Sequence, residues 1–245
     1  PRISVLMSVW NCEKHLMPSI DSILRQTFDE FELIIVDDGC SDSTPQLLDS
    51  IQDARVRIIH QQNTGLTIAL NTAAAMARAE YLARIDAGDT CHKQRFEKQI
   101  QFLDNNPEVA CLGTAAIMVD ENQHEIGKSN VITNPEAVKN GLLKMNLLAH
   151  GSVMMRKSSF DEVGGYRSAF KYAQDYDLWL RISEKFKISN LAEHLYQWAI
   201  DEQSISISKY AIQQQYRAHA LKSAKARRNG DVDPVRDLEV IMTEL

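Results

Sequence analysis

Apolar residues enter this chain in short unbroken runs, and a helical stripe follows each run. "ISVLMSVW", from position 3, reads as a buried strand because it is short and apolar throughout. Behind it, Leu16, Ile20, Ile23, Leu24 and Thr27 recur at helical spacing. "FELIIVDDG" is a second strand running into a turn. "SDSTPQLLDSI" then opens a helix, with Ser43 or Thr44 available as cap and Pro45 suited to the first turn. "VRIIH" is a third strand, "TGLTIALNTAAAMARA" an alanine-rich helix, and "EYLARID" a fourth strand. This alternation predicts an α/β fold with a mostly parallel sheet flanked by helices and joined by right-handed crossovers. Such sheets bind ligands beyond the carboxyl ends of their strands. Polar clusters lie there, at positions 8–10, 37–38 and 86–89.

The second half is less regular. A helix is predicted over 94–105, ending before Pro107. "VACLGTAAIMVD" looks like a strand with "ENQH" as the turn after it, and "HGSVMMR" reads as another strand. "DYDLWLRISEKF" is helical, with Leu178, Ile182 and Phe186 on one stripe. The tail from 209 to 245 reads as two helices divided by "NGDVDP". The expected organisation is one α/β domain over 1–205 and a helical C-terminal extension over 206–245.

Composition narrows the picture. The chain has 245 residues, 44% hydrophobic and 24% charged, enough to bury a core without disulfides or metal staples. A formal net charge of −6 argues against a nucleic-acid partner. Cys12, Cys40, Cys91 and Cys111 stand singly, so zinc-ribbon and thioredoxin chemistry is excluded and a reducing, cytoplasmic setting is expected. Strand-like sequence from Ile3, with no basic region before it, gives no sign of a signal peptide, and the apolar runs are too short to span a bilayer. The expectation is a soluble protein, peripheral at most at the inner face of a membrane.

Several chemistries drop out by motif. No two glycines stand two apart, so the dinucleotide GxGxxG is absent, as are a Walker A loop, HExxH and the GxSxG elbow. What remains is a nucleotide site without a glycine-rich loop, with carboxylates at strand ends. In this order the chain carries "SVLMSVWN", "QTFDEFELIIVDDGCSDST", "NTGLTIALN", "ARIDAGD", "HGSVMMRK" and "QDYDLWLR". Together these resemble glycosyltransferase family 2, over roughly residues 1–200. The resemblance implies a GT-A fold and inverting transfer from a nucleotide-sugar donor to a glycan or lipid-linked acceptor, commonly with Mg²⁺ or Mn²⁺. It implies UDP as the nucleotide, with dTDP and GDP open, and surface-polysaccharide or lipid-linked glycan assembly as the pathway. An inverting displacement needs one base to deprotonate the acceptor hydroxyl, and charge stabilisation at the departing diphosphate.

Each candidate residue also has a plainer reading. Asp38 and Asp37 end the second strand and could serve only as a turn; the resemblance has Asp38 accept a hydrogen bond from the base, with Asp37 structural. Ser8 and Trp10 end the first strand, where Trp10, at a position usually Tyr, could stack on the base or fill the core. Asp86 corresponds to the first carboxylate of a DxD-type motif and would touch ribose or metal, against an Asx turn. Gly88 departs from the pattern, since the usual metal-holding Asp is missing there; Asp89 might substitute. His150 is structural, or a metal or diphosphate ligand. Asp175 corresponds to the catalytic base, with Gln174 where Glu is usual; Asp177 is its rival, and capping the helix is the plain alternative. Trp179 reads as a core residue before an acceptor floor.

From 203 to 230 the chain has no acid but carries Lys209, Arg217, Lys222, Lys225, Arg227 and Arg228. That pattern reads as a solvated helix face; positions 209–228 are the alternative contact with anionic lipid. Two rival functions are a nucleotidyltransferase, which would need an N-terminal glycine-rich loop absent here, and a regulatory pseudoenzyme that binds donor without turnover, for which Gly88 is the one argument.

Overall fold

Every residue of the stretch "FELIIVDD" is buried, as a parallel strand covered on both faces requires. The computed structural model describes residues 1–200 and 209–235. Along them run β1 (Ile3–Val9), α1 (Leu16–Leu24), β2 (Phe31–Asp38), α2 (Thr44–Asp49), β3 (Val56–Gln61), α3 (Leu66–Ala75), β4 (Tyr81–Arg84), β5 (Thr90–Cys91), α4 (Arg95–Asn105), β6 (Val109–Val119), β7 (Glu125–Lys128), α5 (Pro135–Gly141), β8 (Met154–Arg156), α6 (Lys157–Glu162), α7 (Gln174–Lys185), β9 (Lys187–Ala199) and α8 (Tyr210–Asn229). The sheet order is β3-β2-β1-β4-β8-β6-β9-β5, with β7 on β6.

β3, β2, β1 and β4 are parallel, so the predicted polar clusters all reach one end of the sheet. β8 then enters antiparallel between β4 and β6, and β9 runs parallel to β6. Alternate residues of each strand feed two cores. Val5, Met7, Leu33 and Ile35 pack with Leu16, Ile20, Phe96 and Ile100 of α1 and α4. Leu6, Ile34 and Val36 join Leu70 and Ala73 of α3, Trp179 and Leu180 of α7, and Ala220 and Ala224 of α8. The C-terminal helix therefore completes one face of the core.

One expectation changes and one strand was not foreseen. "HGSVMMR" is not one strand: His150–Ser152 forms a 3₁₀ turn, closed by the Ser152 N–H and hydroxyl on the Ala149 carbonyl, and the strand starts at Met154. β9, at 13 residues, has no counterpart in the sequence reading. The second tail helix, beyond "NGDVDP", lies outside the described residues. Among the described residues, no helix is long and apolar enough to cross a membrane.

Candidate active site

The ends of β1 and β2 are stapled together before any ligand arrives. The Asn11 side-chain oxygen accepts from Ser41 N at 2.8 Å, and the Thr44 hydroxyl accepts from Cys12 N at 3.0 Å. Asp37 accepts from Cys40 N at 2.9 Å, an Asp-led turn, and lies 2.7 Å from His60 Nδ1. Asp38 is also buried. Its Oδ1 accepts from Gln61 Nε2, Thr64 N and Thr64 Oγ1, and its Oδ2 from Gly65 N at 2.8 Å. Four donors match the acceptor capacity of a carboxylate, so Asp38 fixes the 61–65 loop that leads into α3. Trp10 lies just past β1 and is 61% exposed, so it is no core residue; Ser8 is half-buried beside it.

β4 delivers Arg84 and, two residues on, Asp86. Arg84 is fully buried; it donates to the Leu6 carbonyl at 3.3 Å and ion-pairs with Asp86 Oδ1. The Asp86 side chain keeps 40% of its surface exposed. Beyond it the loop turns at Gly88, whose φ of +102° lies in the left-handed region and whose N–H donates to the Ser19 hydroxyl at 2.9 Å. The loop returns Asp89 inward. Asp89 Oδ2 accepts from the Tyr196 hydroxyl at 2.5 Å and Oδ1 from Ala199 N at 2.8 Å, both on β9. Burial, then the negative charge of Asp86, pushes the Asp89 carboxyl up to about 8. Asp86 N donates to the same tyrosine oxygen at 3.3 Å, so Tyr196 clamps both ends of the loop.

His150 faces this corner from the 3₁₀ turn. Its Nε2 lies 2.8 Å from the Tyr166 hydroxyl, and its ring meets Tyr166 and Trp179 edge-on. Burial pushes the imidazole down to about 4; the Arg84 charge adds to this, while Asp175 and Asp86 oppose it. His150 is thus a neutral ring at neutral pH, with both carboxylates within electrostatic reach. Asp175 lies in the first turn of α7, where Asn146 Nδ2 donates to its Oδ2 at 2.8 Å. Asp177, two positions on, is fully buried between Arg167 and Arg181.

The fold therefore brings together Asp86, His150 and Asp175, puts Asp38 behind a loop and turns Asp89 into the interior. Sequence reading passed over Arg84, Asn146 and Tyr196. A cation inside the apolar run "YLARID" was the visible signal for Arg84; alternation in "EHLYQWA" was available for Tyr196; nothing marked Asn146.

Residues 4–164 match the family described as Glycosyl transferase family 2. The chain belongs to that family. It is a glycosyltransferase, and its fold is GT-A. The O-antigen biosynthesis glycosyltransferase WbnJ of Escherichia coli is 34% identical over 215 residues, which cover 85% of this chain and 84% of WbnJ. S. aureus TarS 1–349 in complex with UDP-GlcNAc superposes with a TM-score of 0.72 at 17% identity, over 93% of this chain and 73% of that one. The mannosyltransferase PcManGT from Pyrobaculum calidifontis, in complex with GDP-Man and Mn²⁺, gives 0.69 at 17% identity, over 98% and 69%. At that identity the two structures speak for fold alone. Against a longer TarS chain, this glycosyltransferase spans 42% of the length.

The expected metal set does not fit a cation held by protein alone. Asp86 Oδ1 faces Arg84, both Asp89 oxygens have donors, and His150 Nε2 is paired with Tyr166. Among the described residues no three His, Cys, Asp or Glu side chains converge as ligands. Of the expected set, Asp86 Oδ2 and His150 Nδ1 take no hydrogen bond among the described residues.

Proposed function

We propose that this glycosyltransferase moves a sugar, with inversion, from a UDP donor to a hydroxyl of a glycan or lipid-linked acceptor in surface-polysaccharide assembly, with Asp175 as the base. Support for the donor comes from the UDP-GlcNAc complex of a structure with the same fold, and support for the pathway from the name of WbnJ. The observation that carries the base assignment is the contrast within α7. Among the described residues Asp175 has a hydrogen bond on one oxygen only, whereas Asp177 is closed off by two arginines. Both Asp175 and the strand-end Asp86 act electrostatically on the buried His150 imidazole, which supports assigning them to one site.

The base takes the acceptor proton as the hydroxyl attacks the anomeric carbon, and the bond to the diphosphate breaks on the opposite face. Arg84 places a buried positive charge behind Asp86, which supports a role in stabilising the departing diphosphate. Trp10 offers an exposed ring for stacking on the base at the cleft edge, beside Ser8. Asp38 acts through the 61–65 loop that it holds. We assign Mn²⁺ or Mg²⁺ to the donor complex rather than to the free protein.

Asp175→Asn should lower turnover by about two to four orders of magnitude with donor affinity little changed. Near-normal turnover in a folded Asp175→Asn variant would remove the base assignment. Thermal shift with UDP-, GDP- and dTDP-sugars, each with and without Mn²⁺, identifies the donor by mass action; stabilisation by Mn²⁺ alone would contradict assigning the ion to the donor complex.

A further inference from the structure

The geometry points to Asn146 as the residue that positions the base and selects which oxygen of Asp175 takes the proton. This rests on Asp175 being the base. The Asn146 amide is oriented from behind: its Oδ1 accepts from Leu148 N at 3.3 Å, which leaves Nδ2 to donate to Asp175 Oδ2 at 2.8 Å. A second bond holds the same two segments together, because the buried Tyr176 hydroxyl donates to the Leu142 carbonyl at 2.6 Å. The stretch 142–148 is thus pinned to the first turn of α7 at two adjacent residues, 175 and 176. With Oδ2 committed to an N–H, Oδ1, which takes no hydrogen bond among the described residues, is the oxygen left to receive the acceptor proton.

Asn146 touches neither donor nor acceptor in this account; it acts through the carboxylate. Rotating or displacing that carboxylate by about 1 Å costs on the order of 100-fold in rate without loosening substrate binding. Met145, beside it, is 53% exposed, so the segment borders solvent.

The test compares wild type, Asn146→Asp, Asn146→Ala and Asp175→Asn, following UDP release with the donor and acceptor that the wild-type enzyme turns over. Asn146→Asp keeps the shape but lacks the N–H, and a thermal melt of each variant reports folding. The expected result is a kcat about 10- to 100-fold lower in both Asn146 variants, with donor KM within about twofold of wild type. If both variants keep at least half the wild-type kcat while Asp175→Asn loses activity, Asn146 is not a positioning residue and the base assignment stands. A rise in donor KM at unchanged kcat would overturn the proposal as well. If Asp175→Asn retains turnover, the base assignment fails and takes this inference with it.

Discussion

Asp175 and Asp177 lie two positions apart on one helix and meet opposite surroundings. Asp177 has no exposed surface and holds Arg167 and Arg181, so Asp177→Asn leaves two guanidinium groups in the interior short of a partner. That should cost about 3–5 kcal/mol, read as a lower midpoint in denaturant unfolding. Asp175→Asn should leave the midpoint in place. Gly88 makes a different residue-level case. A Cβ there would meet only the His15 Cβ at 3.9 Å, so there is room for an aspartate, yet φ is +102°. Gly88→Asp should therefore cost about 1–2 kcal/mol of backbone strain. It should also strengthen Mn²⁺ binding to the free protein, which calorimetric titration reads directly; unchanged binding would mean that a missing ligand is not the cause of the weak site. Asp86 and Asp175 were legible because each ends or begins an element that the pattern locates. Asn146 and Tyr196 were not, since their roles arise only where distant segments meet.

At the scale of elements, the parallel half of the sheet could be read off the chain because its strands are covered on both faces. β9 could not, because it interleaves polar residues, joins β6 through several register shifts and follows α7 with no turn signal. Its arrival buries Tyr196 and places the hydroxyl against Asp89, which no local pattern encodes. β2 carries a pH consequence of its own. Burial alone would raise the Glu32 carboxyl, but hydrogen bonds from Arg78, Ser4 and Arg57 outweigh it and bring the group from 4.5 down to about 2. The folded value is below the unfolded one, so this contribution is complete above the unfolded value and is lost as pH falls through the folded one. Stability of the wild type should thus decline between pH 4.5 and about 2. Glu32→Gln should be less stable at neutral pH and flatter across that window in pH-dependent melts.

Across the whole molecule, the C-terminal helix is part of the core rather than an appendage lying against it. Tyr216 stacks edge-on with Tyr172, Arg217 lies over Tyr176, and Arg227 binds Glu184 and Asp233. Its buried side faces α7, and its exposed side carries Lys222, Lys225 and Arg228, with Tyr210 and Ile212 exposed in the first turn. Cosedimentation with anionic but not neutral vesicles is expected at low ionic strength. It should vanish near 1 M salt, where the Debye length shrinks to about 3 Å. Equal sedimentation with both vesicle types would refute this.

Gly151, in the 3₁₀ turn after His150, and Tyr196 of β9 meet across the site, and the closeness is extreme. A Cβ at 151 would lie 1.8 Å from the tyrosine oxygen and 2.4 Å from the ring carbon that bears it. The two positions therefore cannot drift independently. A side chain at 151 forces the ring at 196 to shift, and with it the clamp on the carboxylate loop. Gly151→Ala should be severely destabilising alone and milder in a Tyr196→Ala background, a coupling that a double-mutant cycle of unfolding free energies would read directly.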